Sequence, residues 1–209
     1  MSWFHQSNEL RLVLSLSLTP YCSLLAQERY TVAPVIGLFV STNAFEGPFG
    51  TEVESNNYTQ NTAPVLGAAG VLWLTSRVGV GASFAWTPSD VRRGGMSTTT
   101  PASVMLLSTF LAMRLTPSEA TDLRLRAGVG LVGHLGSALE AYGHPKSLSF
   151  LGSMETTLPI SAGVRAAGGV DAYFYNFQLT DPSSGWKYEK RFMIDVIARV
   201  GLIWTFPGS

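Results

Sequence analysis

Charge is scarce in this sequence. Lysine, arginine, aspartate and glutamate supply 13% of its 209 residues, about half the share found in an ordinary soluble domain. A water-facing domain of this length needs a charged shell, and this chain has little to build one from. The composition alone still admits a soluble lipocalin-like barrel. The charges that exist cancel to a net +0 at pH 7, with a pI of about 6.8. That leaves no basic patch for nucleic acid and neither an acidic tail nor a polybasic membrane anchor.

Cysteine is nearly absent. The only one is Cys22, which falls within a leader segment, so the mature chain would carry none. Disulfides and cysteine-rich zinc sites are thereby excluded. Thr19-Pro20-Tyr21 precedes Cys22, where a lipoprotein attachment signal wants an aliphatic residue followed by small ones. Of the three histidines, His5 falls in the same leader, and His134 and His144 alone make no metal site. No cofactor is expected. Asn57-Tyr58-Thr59 matches a glycosylation sequon by chance. Gly79-Val80-Gly81 and Gly128-Val129-Gly130 sit inside strand patterns, not ahead of helices, so neither reads as a phosphate loop.

Long apolar runs are missing too. Beyond the first 26 residues nothing approaches the roughly 20 apolar residues of a spanning helix. The segments 65–75 and 105–115 come nearest and are about half that length. Yet hydrophobic residues make up 46% of the chain, mean hydropathy is +0.21, and there are 21 glycines. An apolar chain without helical spans has the balance of a membrane β-barrel.

At the N-terminus, Arg11 precedes Leu12-Val13-Leu14-Ser15-Leu16-Ser17-Leu18, followed by Thr19-Pro20 and Ser23-Leu24-Leu25-Ala26-Gln27. A short apolar run after a positive charge, ending on small residues, reads as a secretory signal. Cleavage is expected after Ala26, which divides the chain into a signal peptide, 1–26, and a barrel domain, 27–209.

From Tyr30 onward the apolar residues recur with period two. Phe192, Ile194, Val196, Ala198, Val200, Leu202, Trp204 and Phe206 form one apolar face, opposed by Arg191, Asp195, Arg199, Gly201 and Thr205. This alternation outlasts the roughly 3–10 residues of a globular strand. It suits a tilted membrane strand, which needs about 9–11 residues in the hydrocarbon and more to clear it. The same pattern occurs in Val78–Trp86, Leu123–Leu131 and Val164–Tyr175, where the second face mixes glycine, alanine and serine with isolated charges. Small residues on that face suit a narrow barrel filled by its own side chains.

The pattern predicts eight strands, over 30–41, 64–76, 77–88, 102–116, 121–135, 148–159, 162–178 and 190–206. The second is apolar on both faces (Leu66 to Leu74), so its register stays open. Segments 41–63, 88–101, 136–147 and 179–189 are long and polar, and the other links are short. The predicted fold is therefore all-β: an eight-stranded antiparallel up-and-down transmembrane β-barrel with short periplasmic turns and long extracellular loops.

These strands and loops resemble the small outer-membrane barrel superfamily that includes the OmpA-type transmembrane domain. The resemblance covers nearly all of 30–206 and is one of architecture. Its most specific element is Val200-Gly201-Leu202-Ile203-Trp204-Thr205-Phe206. In it Val200, Leu202, Trp204 and Phe206 resemble the C-terminal assembly signal of such barrels, although Pro207-Gly208-Ser209 follow where the aromatic is usually last. The resemblance implies outer-membrane lipids and the barrel assembly machinery as partners, and an outer-membrane location. Tyr30, Trp204 and Phe206 at one end, with Trp86 and Phe174 at the other, fit an aromatic girdle. No cell-wall-tethering domain is expected.

If the apolar faces meet lipid, the charges share the lumen. Arg114, Arg124, Arg126, Arg165 and Arg199 are then expected to meet Glu155, Asp171 and Asp195, because buried charge persists only when paired. Glu155 should lie beside the strands that carry Arg126 and Arg165, and Asp171 diagonal to Arg199. Candidate chemistry is sparse. His134, Ser137 and Glu140 lie within a few residues near an outer strand end, where lipid-A-modifying barrels place such groups, but a nucleophile needs its base within about 3 Å. The leading expectation is a plugged structural or surface-interaction barrel that is not an enzyme. A narrow ion or small-solute channel, a lipid-A-modifying enzyme and a soluble carrier are the alternatives.

Overall fold

A computed structural model of the chain describes residues 30–46, 57–93, 98–116 and 121–206. The expected leader with Cys22 and His5, loop residues 47–50, Gly94 and Gly95, the turn 117–120 and the final three residues lie outside the described residues.

Among the described residues, twelve strands follow in order: β1 (Tyr30–Ser41), β2 (Phe45–Glu46), β3 (Asn57–Gln60), β4 (Ala63–Trp73), β5 (Val78–Thr87), β6 (Asp90–Arg93), β7 (Thr99–Pro101), β8 (Ser103–Arg114), β9 (Asp122–Leu135), β10 (Lys146–Ser161), β11 (Val164–Phe177) and β12 (Arg191–Phe206). Eight of them close into an antiparallel barrel in the order β1-β12-β11-β10-β9-β8-β5-β4. Closure joins the ends of the chain: β1 pairs β12 from Tyr30↔Phe206 to Ser41↔Asp195 and pairs β4 on its other edge.

Alternation decides which way each side chain points. Leu111, Phe150 and Val200 are at least 60% exposed on the outside, whereas Phe39, Val65 and Ile197 on the opposite phase are fully buried. A soluble carrier would instead present polar side chains on that outer face. The lipocalin-like alternative is thus corrected by an exterior of leucine, valine, isoleucine and phenylalanine that only lipid can cover. Pairing also sets the open register of β4: Val65, Ala69, Val71 and Trp73 face inward and Leu66 outward. Thr75 accepts from the Val78 amide at 2.9 Å, and this tight turn ends β4 at Trp73, short of the expected 76.

Two segments expected as irregular loops hold strands. β2, β3, β6 and β7 form a separate four-stranded sheet at the long-loop end, with Tyr58↔Arg93 and Val91↔Thr100 in register. Its strands are two to four residues long, too short to show a period.

The interior has two storeys. Toward the long loops it is apolar: Phe39, Leu106, Phe177, Met193 and Ile197 are almost wholly buried, and Leu139 and Leu179 fold in from their connections. Toward the short turns it is charged. Between them, Phe110 lies opposite Gly81 on β5 and Gly128 on β9. A Cβ at Gly81 would stand 2.5 Å from Phe110 Cε2, and one at Gly128 2.7 Å from Phe110 Cβ. These glycines let the ring lie against the wall. Gly81→Val should therefore overpack the lumen and cost about 1–3 kcal/mol, read as a lower urea midpoint in detergent.

Candidate functional site

The charged storey is built from alternate residues of five neighbouring strands, β8 contributing Arg114. On β9 the inward phase carries Asp122, Arg124 and Arg126; on β10 Ser153, Glu155 and Thr157; on β11 Arg165, Gly169 and Asp171; on β12 Arg199. Strand register puts Glu155 opposite Gly169, and Gly169 opposite Arg199. Because Gly169 has no side chain, Arg199 reaches over it to a carboxylate two strands away. A Cβ at Gly169 would come within 3.1 Å of Glu155 Cα.

Glu155 is the common acceptor. Arg126 Nη2 donates to its Oε2 at 2.7 Å, Arg199 Nη1 donates to the same oxygen, and Arg124 Nη1 stands 3.7 Å from Oε1. Arg199 also donates through Nε to Asp171 Oδ2 at 2.8 Å, the expected diagonal. Ser153 Oγ donates to Asp171 Oδ1. Asp122 holds Arg124 at 2.7 Å and Arg114 at 3.4 Å. Two rings complete the cluster: Trp73 lies 4.0 Å from the Arg114 guanidinium and 5.3 Å from that of Arg124, and Phe110 lies 5.1 Å from Arg126.

Three placements differ from the sequence expectation. Arg165 donates to Thr157 Oγ1 at 2.9 Å, and Glu155 is not its ion-pair partner. Asp195 is outside the cluster, in the apolar storey, where the Tyr175 hydroxyl donates to it at 2.6 Å. The possible catalytic trio is dispersed. His134 is 1% exposed, with Nε2 at 3.3 Å from the Tyr175 hydroxyl and its ring 4.6 Å from that of Phe177, while Ser137 and Glu140 are exposed outside the lumen. Sequence reasoning missed Asp122, although it shares the phase of Arg124 and Arg126. It also missed Trp73 and Gly169, whose roles depend on neighbours distant in sequence.

A second candidate surface caps the other end. Tyr58, Tyr142 and Tyr188 pack partly buried on the apolar storey, and the Tyr142 and Tyr188 rings meet edge-on at 6.3 Å. Partial burial pushes the Tyr142 hydroxyl pKa up, and Tyr188, Tyr58 and Asp181 add to the shift. Asp181 accepts from the Ser183 amide and hydroxyl at 2.8 and 2.7 Å and from the Ser184 hydroxyl at 2.8 Å. Those bonds hold its carboxyl well below the usual range, at about 2. The turn they form presents Trp186, 68% exposed. A carboxylate with a depressed folded pKa stabilises above its ordinary value and loses that contribution as pH falls through the folded one. The turn at Asp181 should therefore loosen only as pH falls toward about 2; Trp186 fluorescence over an acid titration would show that transition, and Asp181→Ala, with no carboxyl to protonate, should remove it.

Removing Glu155 leaves three arginines without their shared acceptor. Glu155→Ala should cost about 3–5 kcal/mol, the range for breaking a buried ion pair, and lower the temperature at which the folded band disappears on heat-modifiable gels. An unchanged transition would show that the cluster does not stabilise the barrel.

No protein-family model and no curated protein matches the chain. Solved structures do match. The outer membrane protein OprG from Pseudomonas aeruginosa aligns with a TM-score of 0.56 at 13% identity, over 88% of this chain and 98% of OprG. The outer membrane protein AlkL, solved in DMPC lipid bilayers, aligns with a TM-score of 0.51 at 10% identity, over 88% of this chain and 92% of AlkL. At such identities the likeness is one of fold: closed barrel, lipid-facing apolar exterior and long loops at one end make this chain an eight-stranded β-barrel of the outer-membrane class.

Proposed function

We propose that the protein is a closed-lumen barrel whose contribution to the cell envelope is structural and whose binding surface is the extracellular loop end. The observation that carries this reading is the filling of both storeys. An ion-paired cluster occupies the periplasmic half, and Phe39, Leu106, Phe177, Met193 and Ile197 occupy the extracellular half beneath Leu139 and Leu179. A conducting path would have to cross both.

The loop end is built to hold a shape. Gln60 Nε2 donates to the Ala102 carbonyl at 2.8 Å, Ser89 Oγ to the Asn61 carbonyl at 2.6 Å and Thr87 Oγ1 to the Pro64 carbonyl at 2.8 Å. The Gln60 and Ser89 bonds tie the small sheet to the barrel rim, and the Thr87 bond joins β5 to β4 within the rim. Rigid loops that present aromatic side chains lose little conformational freedom on binding. His134, Ser137 and Glu140 do not meet, so the reading carries no enzymatic step. Residues 1–26 would direct export. Val200, Leu202, Trp204 and Phe206, all on the lipid face of the closing strand, would be read by the assembly machinery.

Purified barrel reconstituted into planar bilayers should give no resolved conductance steps. Well-defined openings of the native protein would overturn the closed-lumen reading in favour of a narrow channel.

A further inference from the structure

The charged storey is unbalanced. Among the described residues, its inward phase carries five arginines (Arg114, Arg124, Arg126, Arg165, Arg199) against three carboxylates (Asp122, Glu155, Asp171). Setting Arg114 aside, four arginines still face three carboxylates, and those three are already engaged by Arg124, Arg126 and Arg199. Arg165 carries the surplus charge. Its acceptor is a neutral hydroxyl, Thr157 Oγ1, and its Nη2 is buried without a partner.

Other polar groups of this storey are also buried without a partner, a carboxylate oxygen, Asp122 Oδ1, among them. Arg124, 2% exposed, spends Nε on Asp122 and points Nη1 at Glu155, while its Nη2 is buried and unpartnered. Arg165 on β11 and Arg124 on β9 flank β10, with Thr157 between them; Thr157 stands opposite Asp122 on one side and Ala167 on the other. The inward residues above Arg165 on its own strand are Ala167 and Gly169, so no bulky side chain of β11 separates its guanidinium from the cluster.

We propose that the periplasmic mouth of the lumen is a binding site for a small oxyanion of the inorganic phosphate class, held by Arg165 and Arg124. A guanidinium presents paired donors that match two oxygens of one anion. Water would satisfy the hydrogen bonds but leave the buried charge uncancelled, and an anion does both. The side chains point into the barrel, away from the lipid face, which favours a free anion over a lipid headgroup phosphate. The site rests on the charge count and not on the closed lumen, so a conducting barrel would leave it standing.

The test uses the folded full-length barrel in maltoside detergent, free of phospholipid and phosphate. Its unfolding midpoint is followed as inorganic phosphate is added, with sodium chloride at matched ionic strength as reference. Phosphate should raise the midpoint by several degrees and saturate, as a ligand of the native state does; the reference should not. Arg165→Gln should lose the rise and, having shed a surplus charge, should not fall below the native midpoint in phosphate-free buffer. If this variant does not fold, Arg165→Lys takes its place, and its half-saturation should move to at least several-fold more phosphate because the fork is gone. Equal rises with phosphate and chloride, a rise that survives in Arg165→Gln, or an unmoved half-saturation in Arg165→Lys would overturn the site. A third arm adds a short-chain phosphatidylglycerol without free phosphate. An Arg165-dependent rise there would overturn the free anion as occupant.

Discussion

A sheet placed in hydrocarbon cannot leave an edge unpaired. Each backbone amide and carbonyl exposed to lipid costs several kcal/mol, so a spanning sheet must close on itself. The pairing of β1 with β12 meets that demand, and much else follows from it. Closure fixes the register of every neighbouring pair, and register fixes which phase of each strand turns inward. A strand of ten to sixteen residues thereby sorts its side chains into a lipid face and a lumen face with no further instruction.

Closure also creates the difficulty the interior must solve. Eight strands enclose a space that only side chains fill, and arginines and carboxylates on the inward phase have no bulk water to retreat to. Here the charges are gathered into one storey around Glu155, and aliphatic and aromatic residues pack the other. Glycines make the arrangement possible. Gly169 clears the way from Arg199 to Glu155, and Gly81 with Gly128 lets Phe110 lie beneath Arg126. The surplus positive charge sits at the short-turn end of the storey, on Arg165, whose acceptor is a neutral hydroxyl.

The long-loop end is built on a different principle. Its sheet is too short to stand alone and leans on the rim through side-chain to carbonyl bonds from Gln60 and Ser89. The apolar storey extends upward into it through Leu139, Leu179 and the tyrosines. The loops therefore continue the core, and the surface they present is held from below.

The amino-acid order by itself determined the eight barrel strands, most of their inward and outward phases and the alternation of short and long connections. The phases rest on a period of two that seven of the eight display. It also determined that Arg126, Glu155, Asp171 and Arg199 would share the lumen, because they occupy the inward phase of adjacent strands. Only the tertiary structure decided how they pair, since each partner lies 28 to 44 positions away in sequence and the outcome depends on stagger between strands. The same reason separates Asp195 from the cluster, leaves Arg165 without a carboxylate, turns Trp73 inward from a stretch apolar on both faces, and assembles β2, β3, β6 and β7 from segments with no period of their own.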